Sequence, residues 1–523
     1  MGPSSLFNHV LGPVMHGPSS SHTAASFHIG RMARSALGES PVEADFAFDP
    51  GGSYAEVYRQ QGSDRAFAMG AMGRDITDPA FSVALETVQK EGIDLSFTIR
   101  SLEDKDHPNA VEVVLAGASG RKVALCARSV GGGAVEITSI EGIDLSIHGG
   151  AWELVVLAGE ESLPRLRSEA EGLSLAPSFP REKPHLGLVA FHASCLDRPS
   201  EGLLERIRSD AGVRGLWLVE PVFFPIRGEP LFRSGSEMVS YAEREGVTLG
   251  GAGLRYESAL LGLAPGEVED EMIRRYRIME ESVRAGISGE GLVMRLMDPV
   301  AGDIMEAESR GGLALGGLHT RAAATALAAM HVNAAGGLVC AAPTGGSAGT
   351  IPGVVVTLRE EMGLPEGEIA RFLFAASSIG LVISERATFA AEVAGCQVEI
   401  GAAGAMAAAG VVEYAGGSAA QACDAAAIFL QNWMGSVCDP VQGFVEIPCH
   451  TRNAVASSEA FVCADLVLGG YVNPVPLDET VDAVLSVGRM LPRELRCTVL
   501  GGLSLCPSAR ALKARGDFQA PQA

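Results

Sequence analysis

The sequence predicts an α+β fold, with an N-terminal α+β domain over residues 1–160, a linker or small βαβ insert over 161–235, and a C-terminal all-α domain over 236–523. Three observations predict it. Short β-branched runs separated by turn residues fill the first part. Prolines crowd the middle, at Pro164, Pro177, Pro180, Pro184, Pro199, Pro221 and Pro225. Long Ala- and Gly-rich stretches with helix caps make up the rest. A chain of 523 residues, against ~150 for an ordinary domain, has room for two or three units and a large core.

Along the chain, residues 78–91 carry the i, i+3, i+4 apolar spacing of a surface helix. Residues 111–115, 122–127, 134–138 and 153–157 read as the strands of a meander, with Gly117-Ala118-Ser119-Gly120 as the clearest turn. Residues 186–192, a helix over 200–208 and residues 216–219 form one βαβ unit. Thr320 caps a helix that Gly336-Gly337 ends, and Ser418 with Gln421 makes a capping box for a helix through Met434. The apolar stretches 322–340 and 401–414 are short, and the first is broken by His331 and Asn333. Buried helices therefore fit them better than membrane spans.

Composition excludes several function classes. A net charge of −23 repels nucleic acid and anionic lipid, and no local basic patch offsets it. Residues 1–14 lack a basic start followed by an apolar run, so no export signal is read and a cytoplasmic protein is expected. Of the 40 basic residues only Lys90, Lys105, Lys122, Lys183 and Lys513 are lysines, each in a charged or chain-end setting. That argues against a buried Schiff-base lysine for pyridoxal phosphate. No Walker A motif, no strand followed by GxGxxG and no HExxH occurs. The ten cysteines of a cytoplasmic chain are ligands, nucleophiles or core residues rather than disulfides.

Three clusters carry chemistry. Cys396, Cys438 and Cys449 stand in loop-like settings beside glycine, proline and polar residues, whereas Cys423 and Cys463 lie in helical stretches and read as core. With no CxxC pair, the three are either metal ligands or unpaired buried thiols. The run Gly17-Pro18-Ser19-Ser20-Ser21-His22-Thr23 enters a helix, and its N–H groups and hydroxyls suit an anion or simply cap the helix. Pro343-Thr344-Gly345-Gly346-Ser347 is a glycine-rich turn that either admits a small ligand or joins two helices tightly.

The first cluster of hydroxyls, with Arg31-Met32-Ala33-Arg34, His107-Pro108-Asn109 and Gly131-Gly132-Gly133, resembles the β part of the bacterial iron–sulfur L-serine dehydratases. Residues 343–349, Gly395-Cys396-Gln397-Val398-Glu399, Cys438-Asp439-Pro440-Val441 and Pro448-Cys449 with Arg452-Asn453-Ala454 resemble the α part. The separations of 42 and 11 residues between the three cysteines also fit. The resemblance covers about 1–160 and 236–505. It implies a [4Fe-4S] cluster held by Cys396, Cys438 and Cys449, with one iron free to act as Lewis acid on a substrate hydroxyl and carboxylate. It further implies dehydration and deamination of L-serine or a close analogue to a 2-keto acid and ammonia. Ser19, Ser20, Ser21 and Thr23 would face Thr344, Gly345, Gly346 and Ser347 across a cleft, with Gln61, Asn109, Arg452 and Asn453 completing the substrate-binding set. A small amino or hydroxy acid is the expected partner, with no nucleic acid and no membrane, and a homodimer is the expected assembly.

Departures from the family pattern keep the substrate open. Family members carry His-Gly-Thr-Asp with a proposed histidine base, whereas this chain reads Gln61-Gly62-Ser63-Asp64. Gln61 has no site with a useful pKa. The base then falls to His22 or His107, with His28 as a further candidate. Two alternatives follow: a lyase for threonine, cysteine or another β-substituted or hydroxylated acid, and a cluster-containing binding protein without activity. Residues 498–504 also depart from the family's glycine-rich landmark, and Cys506 beyond them is a candidate for a further contact with the cluster.

Overall fold

The computed structural model describes residues 3–102, 107–174 and 181–515. It has the expected α+β character. Two compact units emerge: Ser21–Arg227, and the first 20 residues together with the chain from Gly228 onward.

The first unit holds two sheets. The larger runs Asp94–Ile99, Pro41–Phe48, Ala110–Gly117, Lys122–Gly131, Ala134–Ile140, Ile143–Ile147 in spatial order. Its last four strands form an antiparallel meander that contains the first three expected strands, with Ile143–Ile147 in the fourth place where residues 153–157 were expected. Pro41–Phe48 and Asp94–Ile99 pair in parallel, Phe46 opposite Phe97, because the helices between them make the crossover that parallel strands require. Helices Ala25–Leu37 and Ser63–Met72 cross at Gly30 and Gly70, where a Cβ on Gly70 would stand 2.4 Å from the Phe27 carbonyl oxygen. Glycine is what lets the two backbones meet.

The second sheet corrects the meander. Trp152–Ala158 leaves it to become an inner strand between Val213–Val219 and Leu188–Cys195, with Arg181–His185 at the edge. Its inward side chains Leu154, Val156 and Ala158 pack with Leu166, Phe191, Leu203 and Leu204 in a core of their own. The βαβ unit read around residues 186–219 is therefore a split one, with this earlier strand inserted between its two. Nearby, the helix expected over 78–91 starts as a 3₁₀ turn, Pro79–Val83, before Ala84–Lys90. Asp78 accepts the Ala80 N–H at 2.8 Å and Pro79 opens the turn.

The second unit is helical. Ser418 and Gln421 form their capping box at the start of Ala419–Trp433. The helix assigned to a Thr320 cap starts earlier, at Leu318, behind Gly317. The Thr320 N–H already donates to the Gly317 carbonyl at 3.0 Å, which puts Thr320 inside the first turn. Small residues allow the close packing expected: a Cβ on Gly286 would lie 1.9 Å from the Ala328 carbonyl oxygen. Ile400–Tyr414 is buried along nearly its whole length. Glu366–Arg386 is long and apolar enough to cross a membrane, yet it lies mostly buried inside the unit. Near the N-terminus, Val14–His16 pairs antiparallel with Leu338–Cys340. Glu257 anchors that segment by accepting the Leu6 and Phe7 N–H groups at 2.8 and 3.0 Å.

Candidate active site

Three loop-to-helix junctions of the helical unit converge. Cys396 opens a 3₁₀ turn, Cys396–Val398, directly before Ile400–Tyr414. Gly395 precedes it at φ +76°, a conformation glycine adopts without strain. The buried amide of Gln397 braces this turn, donating to the Ala394 carbonyl at 2.7 Å and accepting the Gly435 N–H at 2.9 Å. Cys438 sits in an extended segment whose N–H donates to the Leu495 carbonyl at 2.9 Å. Cys449 is the first residue of Cys449–Leu468. All three are buried and none forms a disulfide.

The ligating atoms of Cys396, Cys438 and Glu399 lie within 4.8 Å of one another. The Cys449 thiol stands outside that tight set but interacts electrostatically with Cys396 and Glu399. One helical turn along, Arg452 donates from Nη1 to Cys396 Sγ at 3.5 Å and to the Val437 carbonyl at 2.8 Å, and from Nη2 to Asp439 at 3.0 Å. A hydrogen bond from the Cys438 thiol, assisted by the Arg452 charge, holds Cys396 below the ordinary thiol range against the effect of burial. Cys438 is pushed well up, first by that same bond to Cys396, and Cys449 well up by burial. The Arg452 guanidinium thus stands against the Cys396 sulfur with two further thiols nearby, a donor set whose thiols give up their protons to solvent when a metal binds. Burial, and after it the Cys396 charge, raise Glu399 well above the carboxylate range.

The glycine-rich turn belongs to the same place. Thr344 donates to Glu399 Oε1 at 2.9 Å and shares a 3.1 Å hydroxyl contact with Ser347. Asn453 clamps the turn to the cysteine helix: Nδ2 donates to the Gly346 and Cys449 carbonyls, both at 2.9 Å, and Oδ1 accepts from Thr350 at 2.8 Å. The Gly345 N–H points to Ser20 Oγ at 3.5 Å, while Asn333 Nδ2 holds the Pro18 carbonyl at 3.1 Å. Ser19 lies between those two anchored residues.

In the α+β unit, His22 is buried, its Nε2 is 2.9 Å from Ser53 Oγ and its ring stands edge-on to Tyr54. Burial pushes its pKa down to about 4. Thr23 donates to the Gln61 carbonyl at 2.7 Å, and the Ser53 N–H donates to the Pro108 carbonyl at 2.6 Å. His22, Thr23, Gln61, His107 and Asn109 are therefore linked through a short chain of contacts, and Ser21 lies next to His22 in the same turn. His107 Nδ1 accepts the Asn109 N–H at 3.2 Å. His28 is structural: its Nδ1 donates to the Gly133 carbonyl at 2.9 Å and its ring meets Phe223.

Sequence reasoning missed Cys497, whose N–H donates to the Cys438 carbonyl at 2.8 Å and whose thiol is hydrogen-bonded to the Cys438 thiol. Its neighbours in sequence, Arg496 and Thr498, carry no sign of this. Cys506, the thiol singled out instead, caps the short helix Pro507–Ala511 through its carbonyl. The altered landmark around residues 498–504 packs on Asp439, which accepts the Leu503 N–H at 2.8 Å.

Residues 171–504 match the family model described as serine dehydratase alpha chain, a span containing all three cysteines and Arg452. Among curated relatives, the probable L-serine dehydratase alpha chain of Bacillus subtilis is 36% identical over 286 residues, 54% of this chain and 94% of that protein. That of Latilactobacillus sakei is 46% identical over 188 residues, covering 36% and 90%. The L-serine dehydratase alpha chain of Peptoniphilus asaccharolyticus is 41% identical over 224 residues, covering 43% and 76%.

Proposed function

The chain belongs to the serine dehydratase alpha chain family, and on that footing we propose that it is a lyase that dehydrates and deaminates L-serine or a close analogue to a 2-keto acid and ammonia. The observation that carries the reading is the set of buried thiols outside any disulfide at Cys396, Cys438 and Cys449, with Arg452 Nη1 3.5 Å from the Cys396 sulfur, all within the matched span. Such donors fit a [4Fe-4S] cluster. When bound, it supplies a Lewis-acidic iron for the substrate's hydroxyl and carboxylate.

The chain's own residues do the rest. Thr344, Gly345, Gly346 and Ser347 are assigned to the substrate's carboxylate, a group that hydroxyls and backbone N–H groups suit. Asn453 keeps that turn seated on the cysteine helix, and Arg452 holds the Cys396 sulfur in place. His22 is assigned the base. Its pKa of about 4 leaves the ring neutral at pH 7, so Nε2 can take the Cα proton. The Cα–H electron pair forms the Cα–Cβ double bond as the hydroxyl leaves and is protonated to water, and the enamine tautomerises to an imine that water hydrolyses to the keto acid and ammonia. His107 is the second candidate for the base; Ser19, Ser20, Ser21, Thr23, Gln61 and Asn109 are assigned to substrate positioning. A cytoplasmic homodimer is part of the proposal, tested by light scattering and cell fractionation.

Gln61 favours a second reading, the same chemistry on threonine, cysteine or another β-substituted or hydroxylated acid. One experiment separates the readings. Anaerobically purified protein is assayed for iron, sulfide and visible absorption, and for ammonia and keto acid release from a panel of these acids. Serine turnover supports the first reading and turnover of another acid the second. A cluster without turnover identifies a binding protein, and protein without iron or sulfide defeats the metal assignment.

A further inference from the structure

The Ser21–Arg227 unit contains a cleft of about 590 Å³, none of whose lining residues belongs to the candidate active site. One wall is the turn that leads from Ala25–Leu37 into Pro41–Phe48, and the other is the helix Glu201–Arg208 with the strand Val213–Val219 of the split βαβ unit. A volume of that size suits a small metabolite.

The charges lining the cleft do not balance. Its carboxylates are already engaged: Glu220 with Arg31 at 2.7 Å, Glu201 with Arg208 at 3.0 Å and Arg198 at 3.7 Å, and Glu39 with the Ser119 hydroxyl and, at 3.4 Å, its N–H. Arg34 and Arg121 are left over, and among the described residues neither forms an ion pair. Arg34 Nη2 donates only to Ser40 Oγ at 3.0 Å, and its buried Nε has no hydrogen-bond partner. Arg121 has a single long contact, to the Leu216 carbonyl at 3.5 Å, and a Cβ on Gly38 would stand 3.2 Å from its Nη1. Both guanidiniums therefore lie against the 38–40 turn, where two like charges repel unless an anion joins them. Such a surplus of guanidinium stands out in a chain of net charge −23. Beside it Trp152, with the Arg198 guanidinium 5.7 Å over its ring, and Leu204, Leu216 and Leu218 supply an apolar wall.

We propose that this cleft binds a small dianionic metabolite, a phosphate ester or a dicarboxylate, with its charged end between Arg34 and Arg121 and its carbon skeleton on Trp152. Paired guanidiniums match the planar or tetrahedral oxygens of such a group. The proposal is independent of the metal reading, because it concerns other residues and is measured by binding.

The test is calorimetric titration of the anaerobically purified full chain with glycerol 3-phosphate and with succinate, alongside tryptophan fluorescence. At least one of the two should bind saturably at one site per chain, more weakly as chloride is added, and the one that binds identifies the charged end. Arg34→Gln and Arg121→Gln should each weaken that binding about 10- to 100-fold, the usual worth of a charged hydrogen bond. Ser347→Ala, altered in the candidate active site, should bind as the parent, and Trp152→Phe should lose the fluorescence change. Arg121 is exposed on its turn, so Arg121→Gln decides the matter even if Arg34→Gln fails to fold. The proposal is overturned if neither probe binds saturably, if Arg121→Gln binds as tightly as the parent, or if Ser347→Ala is the variant that loses binding.

Discussion

Arg452 reaches from the helix that Cys449 begins to Cys396, placing Nη1 3.5 Å from its sulfur. The same guanidinium closes on Asp439, next to Cys438, at 3.0 Å. One side chain thus cross-links the three segments that carry the cysteines, and does so with a charge that favours thiolate.

Arg452→Gln should therefore impair cluster assembly. It takes the charged partner from the buried Asp439 carboxylate, at a cost of about 3 kcal/mol, and removes a cation that helps to lower the Cys396 pKa. Anaerobic reconstitution with iron and sulfide should be slower and incomplete, read from visible absorption. Parent-like loading would show that the charge is dispensable.

The cysteines themselves sort by position. Ser substitution at Cys396, Cys438 or Cys449 should abolish the visible charge-transfer absorption. Cys423→Ser and Cys463→Ser should leave it, because those thiols are buried in helices and burial pushes each pKa up to about 12. Full iron and sulfide in any of the first three variants would remove that residue from the ligand set.

Asn453→Ala loses four hydrogen bonds at once and frees the 344–350 turn from the cysteine helix. A loss of about 2 kcal/mol in unfolding free energy is expected, with a raised KM for the substrate that the panel identifies. Unchanged KM alongside reduced stability would make Asn453 a purely structural clamp.

Proton transfer separates the histidines. His22→Asn should lower turnover by ~10²- to 10⁴-fold, the usual cost of losing a general base. His107→Asn is the control for the second candidate, and Gln61→His tests whether that position has drifted away from serine chemistry. If both histidine variants turn over within a few-fold of the parent, the base lies elsewhere.

Acid should destabilise the fold through its buried histidines. Burial pushes His22, His28 and His331 from 6.5 down to about 4 each. Below pH 6.5 the unfolded chain takes up protons that the folded chain refuses. The stabilisation is complete above pH 6.5 and declines as the pH falls toward about 4. Urea midpoints measured from pH 8 to 4.5 should show this fall, and His28→Gln, which keeps a donor for the Gly133 carbonyl, should show a shallower one. Identical slopes would mean that His28 does not stay neutral.

Local signals were readable where a few neighbouring residues settle the matter. Ser418 and Gln421 make their capping box through bonds three residues apart, and the Lys122–Gly131 and Ala134–Ile140 hairpin turns within its own glycines. The spacing of Cys396, Cys438 and Cys449 was equally visible, and each proves to sit at a loop or the start of a helix. What depends on distant partners was not visible. Trp152–Ala158 has the same alternating pattern whichever sheet it joins. Only the packing of Leu154 and Val156 against Phe191 and Leu204 moves it from the meander to the second sheet. Cys497 is the sharpest case. Nothing within its own turn distinguishes it from Cys506, and its place beside Cys438 comes from hydrogen bonds between segments almost sixty residues apart. Residue types and spacings determine which groups can ligate or titrate, because those are properties of short stretches of chain. Which of them share one small volume is decided by long-range burial and backbone pairing, and therefore by the tertiary structure alone.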